Sequence, residues 1–551
     1  MIRRIATVGG LTLVSRVTGF VRDVIMAAVL GTGPVADAFF VAFRLPNHFR
    51  AILAEGAFNA AFVPAYARTL ERAGLPAARL FSDRIAAALL VINLFLLGLA
   101  LVFTPSVVSL LAPGLHQDPT RYDLAVTLTR VTFPALLLVS MQTMISGELN
   151  ANGRFAAAAG APILLNICIV ATLSVAYWFP NAGLAAAWGV LIAGVAQVLL
   201  VGVDAERSGF GIRFRVPRLD RPTRRFLKAL GPAIIGAGGV QLALFADTLI
   251  ASFLPTGALS ALYYADRINQ LPIGVVGIAV GTVLLPEMSR RLAAGDVRGA
   301  ASAQARGIQL ALLLTVPCAA AAIVVPDLIM RALFARGAFT SANAAAAGAT
   351  LAAYAIGLLP FVMLRSFTAP FYARGDTLTP VKAALLAASV NIALKVILMG
   401  RLAQVGLAFA TSAGAWVNLT LLWFFARRQG FAVSGAGLRP VLKLLGAGAV
   451  LGIALYLGDL AMAYALAGMP HFREETTLAL LILLGGAIYA AVVLMLLGRN
   501  WPRYLLRNGG PAADCASLPK PNPGLPDRVA LAADTTTQDR SAGRRDVLEK
   551  V

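Results

Sequence analysis

Long apolar stretches separated by short basic segments dominate the pattern along the chain. A helix that spans a bilayer needs about 20 mostly apolar residues. Several stretches of that length contain no charged residue at all, namely 85–112, 182–203, 402–426 and 476–498. The pattern predicts an all-α integral membrane protein with about fourteen transmembrane helices. We expect them near 5–30, 34–66, 84–112, 123–150, 156–178, 182–203, 228–253, 258–288, 306–326, 342–372, 380–399, 404–426, 440–463 and 476–498.

The composition agrees with a protein that lies mostly in the bilayer. Of its 551 residues, 59% are hydrophobic and 13% are charged, whereas about a quarter of the residues of a soluble domain are charged. Cys168, Cys318 and Cys515 are far apart in the sequence and form no metal-binding or disulfide pattern. The sequence has no catalytic triad, phosphate-binding loop or zinc motif. We therefore expect a protein that is not an enzyme.

The position of the basic residues predicts how the chain is oriented. The formal net charge of +21 would indicate a nucleic-acid partner in a soluble protein. With the N-terminus placed inside, the inside loops hold 25 Lys and Arg residues and the outside loops hold 5. Cytoplasmic loops carry such an excess. The bias predicts that both termini are cytoplasmic, and it accounts for much of the charge without nucleic acid.

The first six predicted helices recur in the next six. Each landmark returns after 222 to 226 residues. The pairs are Thr32-Gly33 with Thr256-Gly257, Phe39-Phe40 with Tyr263-Tyr264, Pro64 and Arg68 with Pro286 and Arg290, Pro134 with Pro360, and Gly183-Leu184-Ala185 with Gly406-Leu407-Ala408. Chance matching of common residues is the alternative, and the constant offset argues against it. Repeats of the same orientation imply two six-helix lobes around a central cavity, followed here by two C-terminal helices.

The repeat divides the chain into five segments. They are an N-terminal lobe over 1–203, a basic cytoplasmic linker over 204–227, a C-terminal lobe over 228–426, helices 13 and 14 over 440–498, and a tail over 505–551. The tail is polar and contains four prolines within 519–526. Such a composition does not bury enough apolar surface to fold. We expect it to be disordered and cytoplasmic.

Charged residues inside three of the predicted helices are the main candidates for function. They are Arg16, Arg22 and Asp23 in helix 1, Asp37, Arg44, Arg50 and Glu55 in helix 2, and Asp266 and Arg267 in helix 8. A charge at membrane depth costs several kcal/mol unless it faces a partner or a wet cavity. The planar guanidinium of arginine matches the oxygens of phosphate. The cluster therefore predicts an anionic, phosphate-bearing substrate, with internal salt bridges or snorkelling as the alternative.

Three further features suggest motion or coupling. Pro46 beside Asn47 is expected to interrupt helix 2, and such a break also forms a hinge. Asp247 lies in an apolar run of helix 7, where an isolated carboxylate suggests cation or proton coupling. Asp376 precedes helix 11. It is either a second coupling residue or the N-cap of that helix.

Two long motifs, and two shorter ones, resemble a known family. The run Ser15-Arg16-Val17-Thr18-Gly19-Phe20-Val21-Arg22-Asp23 is similar to the first helix of the MurJ (MviN) lipid II flippases. The second helix resembles theirs over Asp37-Ala38-Phe39-Phe40-Val41-Ala42-Phe43-Arg44-Leu45-Pro46-Asn47 and Ala54-Glu55-Gly56-Ala57-Phe58. Tyr263-Tyr264-Ala265-Asp266-Arg267 and Leu284-Leu285-Pro286 are similar to their eighth helix. The likeness extends from about residue 3 to residue 498.

The resemblance implies the fold of the multidrug/oligosaccharidyl-lipid/polysaccharide exporter superfamily and the export of lipid-linked peptidoglycan precursor. The family's cavity residues correspond to Arg16, Arg22, Asp37, Arg50, Asp266 and Arg267. Further cavity residues are expected at Ser15, Asp23, Arg44, Asn47 and Glu55. Helices 13 and 14 would form a groove for the polyprenyl tail. The acidic residue that some members carry just after the Asp-Arg pair is Gln270 here.

The resemblance also raises the question of a coupling ion. Some members bind Na⁺ between helices 7 and 11, and Asp247 and Asp376 match the acidic ligands of that site. The remaining ligands do not map onto this sequence. Apart from Na⁺, no cofactor is expected, and the sequence does not identify the driving force.

The resulting hypothesis is a flippase of the bacterial inner membrane that works by alternating access. The expected partners are lipid II, membrane lipids and the cell-wall synthesis machinery. A drug or cation exporter of the same superfamily is one alternative, although five arginines disfavour a cationic substrate. A flippase for polysaccharide repeats is another, since its substrates also carry a diphosphate. A membrane scaffold is the third, and it would not need charges at the midplane.

The tail provides a first prediction. Deletion of residues 510–551 should leave transport unchanged, because this Pro-rich, polar segment lies outside the repeated helices. The measurement is complementation of a depleted host by the truncated protein at equal membrane levels. Failure at equal levels would show that the tail takes part in transport.

Overall fold

The computed structural model describes residues 2–50, 57–211, 220–428, 435–469, 472–499 and 501. Within these ranges every regular element is a helix and no strand occurs. The predicted all-α fold class is therefore confirmed. The tail over 505–551 and Glu55 lie outside the described residues.

Eighteen α-helices follow one another along the described chain. The first eight are α1 Ile2–Leu30, α2 Pro34–Arg50, α3 Ala57–Val102, α4 Thr104–Leu111, α5 Pro119–Thr132, α6 Pro134–Ala151, α7 Ala156–Ser174 and α8 Ala182–Arg207. The next eight are α9 Arg221–Ser252, α10 Ala258–Pro272, α11 Ile278–Ala293, α12 Val297–Val324, α13 Pro326–Phe334, α14 Ser341–Ala355, α15 Leu358–Ala373 and α16 Leu378–Arg428. The last two are α17 Gly435–Ala465 and α18 Arg473–Leu497. A short π-helical turn, Ile273–Gly277, joins α10 to α11.

The helix lengths are consistent with fourteen spans. Among the described residues, ten helical stretches are long and apolar enough to cross a membrane. One of the ten, α16, breaks at Ala403 with φ 44° and covers predicted helices 11 and 12. The helix α3, which breaks at Gly74 with φ 75°, contains the end of predicted helix 2 and most of predicted helix 3. The more polar α1 and α9 correspond to predicted helices 1 and 7.

Two expectations about helix ends need correction. The linker predicted over 204–227 is shorter, because α8 continues to Arg207 and α9 begins at Arg221. The start of α9 is set by Asp220, whose carboxylate accepts a hydrogen bond from the Thr223 amide at 2.9 Å, the usual role of an N-cap. The break expected at Pro46 is absent from the described part of α2, which continues to Arg50.

The succession of elements repeats as the landmarks indicated. The short helix α4 after the third span has its counterpart in α13 after the ninth. The fourth span is divided into α5 and α6 around Phe133, and the tenth into α14 and α15 around Ile356 and Gly357. The two halves therefore share their irregularities as well as their helices.

An aromatic cluster joins the two halves. Phe40 stacks on Tyr263 with ring centroids 3.9 Å apart, and Tyr264 meets Phe40 edge-on at 5.5 Å. Both tyrosines and Phe40 are buried. The Phe-Phe and Tyr-Tyr pairs that marked the repeat thus pack against each other across the junction of α2 and α10. The appended pair packs elsewhere, with Gly448 of α17 against Val316 of α12.

The loop charges and the helix order together predict which ends face the cytoplasm. In a background in which Cys168, Cys318 and Cys515 are replaced by serine, Glu206→Cys and Gln117→Cys place one exposed thiol each at opposite ends of the spans. A membrane-impermeant maleimide should label Gln117→Cys in intact spheroplasts and Glu206→Cys only after lysis. Labelling of both thiols in intact cells would overturn the assigned orientation.

Candidate functional site

A cavity of about 970 Å³ lies between the two halves of the molecule. The first half contributes residues of α1, α2, α6, α7 and α8, and the second half contributes residues of α10 and of the π-helical turn. Its charged lining residues are Arg16, Arg22, Asp23 and Arg267. Three arginines and one aspartate give the lining a formal net charge of +2. A cavity of this charge suits an anion of about two negative charges.

Asp23 holds the arginines of the two halves together. The Arg22 guanidinium donates to Asp23 Oδ1 from Nη2 at 2.6 Å and from Nε at 3.0 Å. Arg267 Nε lies 3.4 Å from Asp23 Oδ2. The Tyr263 hydroxyl donates to Asp23 Oδ1 at 3.3 Å and accepts from Arg267 Nη2 at 2.9 Å. One carboxylate therefore serves two guanidiniums, so the group keeps one excess positive charge.

Asn166 of α7 orients this network, and the sequence reasoning missed it. Its Oδ1 accepts from Arg22 Nη1 at 3.0 Å. Its Nδ2 donates to the Ser15 carbonyl and to Thr18 Oγ1, each at 3.0 Å. The buried amide thus ties α7 to the cavity face of α1. A lone asparagine in the apolar run 156–178 was the available signal, because a buried amide needs hydrogen-bond partners.

Arg16 differs from the other cavity arginines. Its side chain is exposed to the cavity, and its guanidinium lies against the backbone of Gly274 in the second half. No hydrogen bond or ion pair to its guanidinium occurs in the described part of the chain. Arg16 therefore brings a cation whose charge no described protein carboxylate neutralises.

Asp37 is not part of the cavity lining, contrary to the expectation that it binds substrate. It is fully buried and caps α10, because Oδ2 accepts from the Gly257 amide at 2.7 Å and Oδ1 from the Ser260 amide at 2.9 Å. The Ser260 hydroxyl also donates to it. Arg121, which the sequence reasoning overlooked, lies 3.3 Å away and is buried too. The negative charge also complements the positive N-terminal end of α10.

Other contacts join the two halves at the same end as Asp37. The Ala338 amide donates to the Ala28 carbonyl at 2.7 Å. The Gly114 amide donates to Ser252 Oγ at 3.0 Å. These contacts involve the last turns of α1 and α9 and the segments that precede α5 and α14. They close the two halves against each other on the side that the loop charges assign to the periplasm.

The structure describes the side chains of some, but not all, of the remaining predicted residues of helices 2 and 8. Arg44 and Arg267 are close enough to Asp266 to attract its carboxylate electrostatically. Gln270 Nε2 donates to Asp266 Oδ2 at 2.5 Å. Gln270 lines the cavity whereas Asp266 does not. Asn47 and Arg50 belong to α2, but their side chains lie outside the described set.

Asp247 is not the lone carboxylate that the sequence suggested. Lys395 Nζ of α16 lies 2.5 Å from its Oδ1, and the lysine side chain is 4% exposed against 33% for the aspartate. Asp376 caps α16, accepting from the Leu378 and Thr379 amides at 3.1 and 3.0 Å. Lys395 and Asp376 are 19 residues apart along that helix, or about 28 Å at 1.5 Å per residue. The two aspartates therefore do not form one sodium site in this structure.

Comparison with known proteins identifies similar chains over most of the length. The model of a family described as lipid II flippase MurJ matches residues 26–474. A Rhizobium meliloti protein named probable lipid II flippase MurJ is 42% identical over 499 residues, which cover 89% of this chain and 93% of the relative. A Burkholderia cenocepacia protein named lipid II flippase MurJ is 34% identical over 466 residues, covering 82% and 89%.

Solved structures agree with the sequence relatives. The structure titled "Lipid II flippase MurJ, inward closed conformation" has a TM-score of 0.73 at 25% identity, and the match covers 91% of this chain and 99% of that one. An inward-facing multidrug resistance MATE transporter of the MOP superfamily has a TM-score of 0.60 at 16% identity, covering 75% and 94%. This second likeness shows a shared fold only.

The Asp247–Lys395 pair generates a prediction about stability and sodium. Lys395→Met should lower the free energy of unfolding by about 3 kcal/mol, because it leaves a carboxylate without its cation. The double variant Asp247→Asn, Lys395→Met should recover much of this loss. The measurement is the unfolding midpoint of purified protein in NaCl and in KCl. Wild type should melt alike in both salts, because the lysine occupies the cation's place.

In the Lys395→Met variant, the position of the lysine ammonium beside Asp247 is open to a small cation. Na⁺ should therefore stabilise this variant more than K⁺ does, in contrast to wild type. A sodium-dependent midpoint in wild type would contradict the prediction.

Proposed function

The chain belongs to the MurJ family of lipid II flippases, and from this membership we propose that it carries lipid II across the bacterial inner membrane. Lipid II is the peptidoglycan precursor, a disaccharide-peptide linked through a diphosphate to a polyprenyl chain. The proposed direction is from the cytoplasmic to the periplasmic leaflet, for cell-wall synthesis. The protein is a multi-pass membrane protein with a flippase fold.

The charge balance of the cavity is the observation that supports this substrate. A diphosphate diester carries two negative charges, and the lining carries three arginines and one aspartate. Arg16 and Arg22 approach from the first half and Arg267 from the second. Arginine's planar fork binds phosphate oxygens in pairs. An anion held between the halves would therefore be bound by both of them at once.

The energetics assign different parts to the three arginines. Arg22 and Arg267 are already hydrogen-bonded and share Asp23, so their guanidiniums are held in place before substrate arrives. Pre-organised donors do not lose orientational freedom on binding. Arg16 lacks a described counter-ion. We infer that Arg16 provides the strongest attraction for the incoming diphosphate, and that the Asp23 network holds its second phosphate.

We propose alternating access, and the places where the two halves touch support it. The proposed resting state is closed at the periplasmic side by the Asp37 cap on α10 and by the Ala28 and Gly114 contacts. Substrate enters from the cytoplasmic side. The halves then rock, the periplasmic contacts separate and the cavity opens outward. No bond of the substrate breaks in this cycle, so the protein acts as a transporter and not as an enzyme.

The polyprenyl chain of the substrate and the orientation of the protein in the membrane complete the proposal. We propose that the polyprenyl chain stays outside the cavity, along α17 and α18. Ile453, Leu457, Ile482 and Leu483 are 58% to 70% exposed there, so the pair presents apolar surface to a hydrocarbon chain. The excess of Lys and Arg in the inside loops supports cytoplasmic termini.

Coupling to an ion is proposed to differ from what the resemblance implied. A Na⁺ at Asp247 would have to displace Lys395, whose ammonium is tethered 2.5 Å away. A tethered cation has a far higher local concentration than a free one. We therefore propose that Lys395 is the counter-ion of Asp247 during the cycle and that the energy for flipping comes from elsewhere than sodium at this position.

The test is depletion of the protein in its host. Lipid II should accumulate on the cytoplasmic side, and wild type should restore its export whereas Arg16→Ala should reduce export at least tenfold, because an unneutralised cavity cation is lost. The measurement is the amount of lipid II reached by an externally added modifying enzyme. Arg72→Ala, an exposed arginine at the kink of α3, is the matched control and should export normally.

Each alternative function predicts a different result. Unchanged lipid II together with accumulation of another diphosphate-linked oligosaccharide would show a polysaccharide-repeat flippase. Unchanged levels of both, with a changed sensitivity to cationic compounds, would show a drug exporter. Full export by Arg16→Ala at normal membrane levels would contradict the role of the cavity arginines.

A further inference from the structure

The eighth span has a local irregularity beside the cavity. Its two halves, α10 and α11, are joined by the π-helical turn Ile273–Gly277 directly after Pro272. Single π turns inside α-helices are rare and frequently occur at functional sites. Within this turn, Ile273 and Gly274 line the cavity. The irregularity therefore brings backbone, without a covering side chain, to the cavity wall.

Arg16 fills the space above Gly274. A Cβ built on Gly274 would lie 3.2 Å from Arg16 Cζ and 3.2 Å from Nη2, and closer still to Nη1. Any residue other than glycine would place atoms where the guanidinium now lies. The side chain of the first half thus rests directly on the backbone of the second half, at the cavity wall.

We propose that Gly274 is a positioning residue for transport, which holds the Arg16 guanidinium at the diphosphate site by leaving room for it on the eighth span. The proposal rests on the proposed function, because it assigns Arg16 to the anion. Arg16 has no described hydrogen bond or ion pair that would hold it there. The shape of the wall is therefore the feature that determines where its charge stands.

A second glycine in the same π turn is the control that distinguishes the positioning of Arg16 from a requirement of the turn itself for glycine. A Cβ on Gly277, three residues further in the same π turn, would meet Arg365 Cγ at 3.8 Å, an ordinary contact. At Gly274 the atoms in the way are the end of a long, flexible side chain. Alanine there should push the guanidinium aside and leave the helix in place. Alanine is also the better helix former, so Gly274→Ala should still fold.

The experiment compares purified Gly274→Ala, Gly277→Ala and wild type for binding of lipid II in detergent micelles. Gly274→Ala should bind about tenfold more weakly, the size expected when one charge-assisted contact is misplaced. Gly277→Ala should bind like wild type. Equal affinity of Gly274→Ala and wild type would overturn the inference.

A double-mutant cycle with Arg16→Lys removes the remaining ambiguity. Lysine keeps the charge but ends in a compact ammonium that has no planar fork to collide with a methyl group. In the Arg16→Lys background, Gly274→Ala should therefore change the affinity less than twofold. A general helical or packing role for Gly274 predicts the same tenfold loss in both backgrounds, and that result would also overturn the inference.

Two controls keep this inference apart from the proposed function. If wild type does not bind lipid II, the proposed function fails, and the inference fails with it. If wild type binds and the two backgrounds respond alike, only the role of Gly274 fails. The unfolding midpoint of each variant is measured in parallel. If Gly274→Ala melts lower than wild type, Arg16→Lys must restore its midpoint as well as its affinity, and failure to do so refutes the inference.

Discussion

The cavity depends on the sharing of one buried carboxylate, Asp23, between Arg22 and Arg267. Two guanidiniums in a low-dielectric cleft would repel each other and lose their hydration. Asp23 neutralises part of that charge, and the Tyr263 hydroxyl adds a hydrogen-bond acceptor from the second half. The arrangement leaves one excess positive charge in the network. A fully paired cluster would hold the halves together but would not attract an anion.

A second carboxylate, Asp37, has a different role because its surroundings differ. It has no contact with the cavity and accepts the free amides at the start of α10, with Arg121 beside it. Asp23 therefore joins the halves around the site, and Asp37 joins them at the end that the loop charges assign to the periplasm. The proposed transport cycle requires the contacts around Asp37 to separate while the network around Asp23 binds the substrate. Lys395 performs the same neutralising task for Asp247, within the second half.

Much of the fold and several of the charged cavity residues could be predicted from the sequence. Apolar stretches about 20 residues long determine that the chain crosses a membrane many times, because water-free surroundings demand helices. The constant offset between the Phe39-Phe40 and Tyr263-Tyr264 landmarks determined that two similar halves exist. Charges inside apolar helices marked Arg16, Arg22, Asp23 and Arg267 as residues that must face a cavity or a partner. All four line the cavity.

Only the tertiary structure decided which partner each charge has. The sequence does not distinguish Asp37, which caps a helix, from Asp23, which lines the cavity. It also does not show that Asp247 is paired, because its partner Lys395 lies 148 residues later in the chain. Asn166 and Gly274 carry no charge and therefore gave no strong signal, yet they contact Arg22 and Arg16 across helices. A charged residue within an apolar stretch of sequence indicates that placing this group in the membrane costs free energy. The compensation for that cost comes from side chains and backbone far away in the chain, so it depends on how the helices pack.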